Sequence, residues 1–521
     1  PSVNWVIRKM SNGMFERILK LFVEFKLIYN FLKCKEGNTA IMFGICCIPL
    51  MASAGAAIDF TRALNLKHNL NAAIDAAALA AGSAVTLSTE EKIEYAKEIL
   101  EANFLASPHA HIDEPTFVVD DQTVIINVSG TLDTFILGVV GIDQIPINTS
   151  NEVTLQSKQL EVVMVLDNTG SMSGSKISSL KSAAEDLVTI LFEGENAEDL
   201  VKVGLVPFAA SVNIGSDKFG SGWMDVNAQA STDAENFQQG STNIFDLYDE
   251  IQNKSWNGCV EARPAPYDTT DALPSSGNGD TLFVPYFYPD EPDWTAANAN
   301  GYWYPRNYLN DGYSDGNTNV EERQRHTGKY EDASISGSGP HYLCSVPSIL
   351  ELTNNESTIN DKIDDMVASG STNIPTGLSW GWRVISPDEP YTEGAEYDDE
   401  DVIKSIILLT DGENWVGNLN NHNRAYYNAY GYVGNGRLGT TDPGAAKDEL
   451  DNRTAMLCEN IKAEGVRIYT LTFDLEDGPV KDLMLACATT PGHFYDASDS
   501  SELAESFEAI ATDLSNLRLS K

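Results

Sequence analysis

From Gly37 to Ile58 the chain runs through 22 residues, GNTAIMFGICCIPLMASAGAAI, without one charged side chain. About 20 helical residues cross a hydrocarbon core, so this run reads as a transmembrane helix. A cleaved secretory signal would have a shorter apolar core, of roughly 7 to 15 residues, set nearer the N-terminus. The run is preceded by Arg8, Lys9, Arg17, Lys20, Lys26, Lys33 and Lys35 against Glu16, Glu24 and Glu36, a net charge of +4. The whole chain carries −42, from 76 acidic and 34 basic residues. Cytoplasmic flanks are enriched in Lys and Arg. Residues 1–36 are therefore expected to be a basic cytoplasmic segment, 37–58 a single membrane span, and everything after Ile58 to lie outside. The acidity also excludes nucleic-acid binding, which needs a basic footprint.

Cysteine placement agrees with that orientation. Cys34, Cys46 and Cys47 lie before or within the span, and Cys259, Cys344, Cys458 and Cys487 lie in the exported part. In an oxidising compartment the latter four most simply form two disulfides. Proximity favours Cys259 with Cys344 and Cys458 with Cys487, among three connectivities that the sequence allows.

A chain of 521 residues exceeds one ordinary domain. Residues 59–157 read as a helical extension followed by a small α+β module. The helix is expected to continue unbroken from the membrane. Ala63, Leu66, Leu70, Ala73, Ala77, Ala80 and Ala84 recur at three and four, the spacing of a packing seam. Its partner is either a neighbouring subunit's helix or this chain's own next domain. A second helix is expected at 90–105, a hairpin at Phe117–Gly130 turning at Asp120 and Asp121, and a strand at 144–155. His109 and His111 have no third ligand in view and carry no metal assignment.

From residue 160, apolar strands alternate with amphipathic stretches, the pattern of an α/β fold with a mainly parallel sheet. Strands are expected at 160–167, 201–209, 402–411 and 466–474, with a short antiparallel edge at SVNIG. Helices are expected at 176–192, 357–367, 375–385, 445–464, 479–488 and 499–514. Residues 215–345, rich in Gly, Asn, Asp, Tyr and Trp, interrupt the alternation and read as an irregular lid or decorating loop. Within them, DGYSDGNTN resembles a calcium loop in composition but lacks its glycine spacing.

The stretch most able to carry chemistry is VLDNTGSMSGSK, Val165–Lys176. A phosphate loop requires a second Gly and a hydroxyl flanking its Lys, where this chain has Ser175 and Ile177. A nucleophile elbow requires glycines on both sides of its Ser and an available His, and neither is present. Asp167, Thr169 and Ser171 instead alternate at a strand's C-terminal end and offer hard oxygen donors, which suit Mg²⁺, Mn²⁺ or Ca²⁺. Loops from separate strands converge at that edge of an open α/β sheet. Thr372 in GSTNIPTGL and Asp411 in IILLTDGEN are the further donors expected there.

Asp167-Asn168-Thr169-Gly170-Ser171 with Thr372 and Asp411 resembles the metal-ion-dependent adhesion site of the von Willebrand factor type A family. Thr169 stands where that family usually has serine. The resemblance covers about 158–515 and implies a Rossmann-like, doubly wound, mainly parallel sheet. It also implies a divalent cation, Mg²⁺ ahead of Ca²⁺ or Mn²⁺, that accepts a carboxylate from a protein partner without turnover.

GNTAIMFG, AAIDAAALAAG, WNGCVEAR, LTNNESTINDKIDDM, WGWRVISP and LRLSK, in this order, resemble TadG-type proteins of the Tad (Flp) pilus-assembly system. That resemblance implies a non-enzymatic bacterial inner-membrane component of pilus assembly or surface adhesion, with a pilin-like N-terminal helix. The alternative it leaves is a structural minor pilin or envelope subunit held by that helix, with a vestigial metal site.

Overall fold

The computed structural model describes residues 38–84, 87–104, 108–119, 123–154, 158–193, 197–233, 235–238, 243–293, 301–313 and 318–519. The basic segment 1–36, with Cys34, the turn at Asp120 and Asp121, and residues 314–317 of DGYSDGNTN lie outside the described residues. The chain divides into two compact units, 1–154 and 155–521.

In the first unit, helix α1 runs unbroken from Asn38 to Ser83 through Pro49. Among the described residues it is the one helix long and apolar enough to cross a membrane. The helix changes character at Asp59. Before it, Met42, Phe43, Ile45, Ile48, Leu50 and Met51 are exposed, whereas beyond it Ala63, Leu66, Leu70, Ala73, Ile74, Ala77, Ala78 and Ala81 are buried. The buried row packs on Val124, Ile126, Val128 and Ile147, so the seam is filled by this chain's own sheet. Of the seam positions read from sequence, Ala80 and Ala84 are only partly buried.

That sheet has β1 (Ala110–Ile112), β2 (Thr116–Val119), β3 (Thr123–Asp133) and β4 (Gln144–Thr154), with β3 pairing antiparallel with each of the others. Helix α2 (Thr89–Asn103) begins at a capping box between Ser88 and Glu91. Asp59 is fully buried and accepts hydrogen bonds from the backbone N–H groups of Phe135 (3.0 Å), Ile136 (2.9 Å) and Leu137 (3.0 Å). A buried carboxylate needs such partners, and here they pin the helix where it leaves its uncharged run. His111 bonds Asp133 (3.3 Å).

The second unit is built on β5 (Gln159–Asp167), β6 (Val201–Phe208), β7 (Val212–Asn213), β8 (Cys259–Val260), β9 (Leu350–Thr353), β10 (Val402–Thr410), β11 (Arg467–Phe473) and β12 (Phe494–Ala497). From one edge the order is β12-β11-β10-β5-β6, all parallel, and β9 then lies antiparallel to β6. Leaving out the short β7 and β8, this is the doubly wound order 3-2-1-4-5-6, whose crevice lies where the winding reverses, between β5 and β10.

Period-two alternation assigns the two faces. Val163, Val165, Ile406 and Leu408 pack under α5 (Ile374–Ile385) and α6 (Pro443–Ala463). Val162, Met164, Leu166, Ile407 and Leu409 pack under α3 (Ser175–Leu191), α4 (Glu356–Asp364) and α8 (Ser500–Leu519). Helix α7 (Pro479–Cys487) covers β11 on the first face. Helix α5 lies very close on the sheet. A Cβ at Gly377 would stand 2.5 Å from the Phe208 ring, and one at Gly381 would stand 2.4 Å from Val165.

Two features differ from the sequence reading. β9 and β12 are strands that alternation did not disclose, because each is four residues long and mostly half-buried. The described residues of 215–345 contribute to the main core instead of only decorating it. Among them Trp223, Phe237, Phe245, Tyr248, Trp256, Phe283, Phe287 and Tyr330 are buried in the same core as Trp380 and Phe208. Aromatic side chains bring enough apolar area to form a core on only short regular elements. The disulfides are Cys259–Cys344, which closes this segment on itself, and Cys458–Cys487, which links α6 to α7.

Candidate metal centre

Asp167 is the last residue of β5, and Asp411 directly follows β10, its parallel neighbour. Both carboxylates therefore reach the same edge of the sheet, at the switch point. Asp167 is fully buried. Its Oδ1 accepts the Thr169 backbone N–H (2.8 Å) and its Oδ2 accepts the Thr410 hydroxyl (2.7 Å). Above it the Thr169 and Ser171 hydroxyls are 2.9 Å apart, and Ser171 Oγ donates to Asp411 Oδ1 at 2.5 Å. Ser171 is exposed whereas Thr169 and Asp411 are buried, which gives the site a buried floor and an open mouth.

Thr372 reaches the same place from the start of α5. A Cβ on Gly412 would meet Thr372 Oγ1 at 3.5 Å and Ser171 Oγ at 4.0 Å. The loop carrying Thr372 is laced to the other two. Ser369 N–H donates to the Asn168 carbonyl (2.7 Å), Gly170 N–H to the Gly370 carbonyl (2.9 Å), and Trp415 N–H to the Thr372 carbonyl (2.9 Å). Asn414 Oδ1 accepts the Ile374 N–H (2.8 Å), and Asn373 caps the helix through Thr376. The structure thus brings together all five residues singled out in the sequence.

It also adds residues that sequence reasoning missed. Lys176, considered only as part of a phosphate loop, places its ammonium 3.1 Å from Asp411 Oδ2 and 3.0 Å from Asp474 Oδ2. Partial burial works against that ammonium, but Asp474 and then Asp411 outweigh it and raise its pKa. The Asp167 carboxyl is pushed up to about 6, first by burial and then by the neighbouring charge of Asp411. Two carboxylates that repel each other beside a row of hydroxyls form a donor set suited to a hard cation. Among the described residues no three His, Cys, Asp or Glu side chains are grouped as metal ligands, so a cation here would depend on the hydroxyls.

Residues 37–84 match the family model Tad, described as Flp pilus-assembly TadE/G-like. No curated protein matches the chain. Among solved structures, the chain is similar to the pilus adhesin SpaC from Lactobacillus rhamnosus GG in its open conformation. That match has 12% identity and a TM-score of 0.33, and covers 79% of this chain and 35% of that one. The chain therefore spans about a third of SpaC. The vWF domain of the type V pili tip protein Mfa5 from Porphyromonas gingivalis matches at 12% identity and a TM-score of 0.33, over 70% of this chain and 97% of that one. Proximal thread matrix protein 1 of the mussel byssus, solved with a zinc-occupied MIDAS motif, matches at 15% identity and a TM-score of 0.28, over 69% and 48%.

Proposed function

We propose that this chain, whose residues 37–84 match a TadE/G-like model of Flp pilus assembly, is a membrane-anchored, non-catalytic protein-binding component of pilus assembly or surface adhesion. It engages its partner through a divalent cation held by Asp167, Thr169, Ser171, Thr372 and Asp411. The observation that carries this reading is the Ser171 hydroxyl, bonded to Thr169 and Asp411 above the buried Asp167.

When bound, the cation would supply positive charge to offset the Asp167–Asp411 repulsion and a position open to a partner's carboxylate. Mg²⁺ leads Ca²⁺ and Mn²⁺ because the donors are few and compact. A non-catalytic role is supported by the match of residues 37–84 to a pilus-assembly family model. The uncharged, exposed first part of α1 supports a single-pass anchor in a bacterial inner membrane, with residues 1–36 cytoplasmic and the second unit outside.

Calorimetric titration of the full chain with Mg²⁺ and Ca²⁺ tests the site. Asp167→Ala and Asp411→Ala should each abolish binding while circular dichroism is unchanged. Retention of wild-type affinity in both variants rules the assignment out. The exposed apolar helix also favours a second reading, a minor pilus subunit held by α1 alone. Replacing 38–58 with an unrelated anchor separates the two, since retained piliation supports the binding-module reading.

A further inference from the structure

The segment 215–345 and the loop after β10 enclose a cavity of about 330 Å³ that the metal site does not use. Its floor is made of amides. Asn236, Gln324 and Asn423 are each more than nine-tenths buried. Gln324 and Asn423 bond each other in both directions (3.0 and 2.9 Å), and Asn435 Nδ2 donates to Asn236 Oδ1 (2.9 Å). That pairing leaves each of the two amides further donor and acceptor capacity for a ligand.

Glu321 and Asn435 lie exposed at the mouth. His422 lines the wall with its Nδ1 held 2.6 Å from the Tyr304 hydroxyl, and burial keeps the ring neutral by pushing its pKa down to about 4. Beside it, the Trp303 N–H donates to Asn420 (3.3 Å) and Asn421 donates to the Trp303 carbonyl (2.6 Å). These bonds hold the backbone of the stretch that carries Tyr304 to the loop that carries His422.

The lining discriminates by chemistry. Glu235 is paired with Arg437 at 2.7 Å and Arg325 donates to the Phe237 carbonyl, which leaves Glu321 as the exposed charge at the mouth and disfavours phosphate, sulfate and acidic peptides. No apolar side chain lines the space, which removes the hydrophobic drive that would seat a lipid or an aliphatic side chain. What remains is a neutral ligand with many hydroxyls, able both to donate to and to accept from the amides and the imidazole. The volume lies at the lower end of the roughly 300–1,000 Å³ typical of small-molecule sites, room for one or two sugar rings. We propose that this cavity is a carbohydrate-binding subsite, in which Asn236, Asn435, Glu321 and His422 supply the hydrogen-bonding groups.

Saturation-transfer NMR on the full chain in lipid nanodiscs, free of sugar-headed detergent, tests this. Glucose, galactose, mannose and N-acetylglucosamine are each presented at about 10 mM, a range suited to single-ring ligands of millimolar affinity. At least one should show transfer, with affinity weakened tenfold or more in both Asn435→Ala and Glu321→Gln. These substitutions are at the mouth and leave the buried amides in place. Asp411→Ala should leave sugar binding unchanged, which separates this site from the metal site. The proposal is overturned if none of the four sugars shows transfer, if transfer persists in both cavity variants, or if Nα-acetyl-lysine amide saturates the site and no sugar does.

Discussion

Lys176→Met should tighten divalent-cation binding. In the structure the Lys176 ammonium lies 3.1 Å from Asp411 Oδ2 and 3.0 Å from Asp474 Oδ2, so Asp411 already has a counter-ion. At 3.1 Å and an effective dielectric of about 20, the bare Coulomb attraction is about 5 kcal/mol. The lysine side chain keeps 23% of its exposure, and a charged hydrogen bond nets about 1.5–3 kcal/mol once solvation is included. A cation recruiting Asp411 competes with that contact and is also repelled by the ammonium. Removing the charge should therefore lower the dissociation constant about 10- to 100-fold, at about 1.4 kcal/mol per tenfold. Methionine keeps an unbranched chain near Phe473, over whose ring the ammonium lies at 5.7 Å. The assay is Mn²⁺ titration followed by the EPR signal of free metal at pH 7.5. Asp474→Asn is the companion variant. It leaves the ammonium with Asp411 alone, so affinity should fall, by less because Asp474 is 59% exposed. Unchanged or weaker Mn²⁺ binding in Lys176→Met would refute the reasoning and make the lysine a support that orients Asp411.

Three further outcomes are expected at the site and beneath it. The Asp167 carboxyl has a folded pKa of about 6 against 3.8 unfolded. Between these values the folded state holds the proton more tightly, so metal-free stability falls as pH rises from about 4 through 6, by about 3 kcal/mol from this group. Denaturant melts of wild type and Asp167→Asn should show this fall only in the wild type once their difference is taken, and parallel pH profiles would exclude it. The sign reverses for the metal, whose affinity should weaken about tenfold per pH unit below 6, because proton and cation compete for one carboxylate. Gly377→Ala should destabilise by about 1–3 kcal/mol through overpacking against Phe208, although the same change in an exposed helix stabilises by about 1 kcal/mol. A calorimetric melting temperature equal to or above wild type would show that α5 can lift from the sheet without cost.

The parts of this fold legible in the sequence are those whose signals are local. The uncharged run and the three-four spacing after it gave one continuous helix, and the apolar runs of β5, β10 and β11 stand out because both their faces are buried. Asp167, Thr169 and Ser171 could be read from alternation at a strand end, and Thr372 and Asp411 from the order of similar strand and helix termini. Lys176 could not be placed, since its link to Asp474 arises only when β11 is laid beside β10. β9 and β12 are edge strands whose partly exposed residues leave no alternation to read. The aromatic core of 215–345 is aperiodic, and a composition rich in Gly, Asn and Asp hides side chains that are buried one at a time. The carbohydrate-type cavity has the same origin, because its amides come from three segments with no shared spacing.

The account stands on a cation bound at the switch point between β5 and β10. Crystals of the protein grown in Mn²⁺ and measured at the manganese absorption edge would test it most directly. An anomalous difference peak within coordination distance of Ser171 Oγ and Thr372 Oγ1, lost in Asp411→Ala, is the expected result. A map with no peak at that site, or with its peak elsewhere on the molecule, would contradict it.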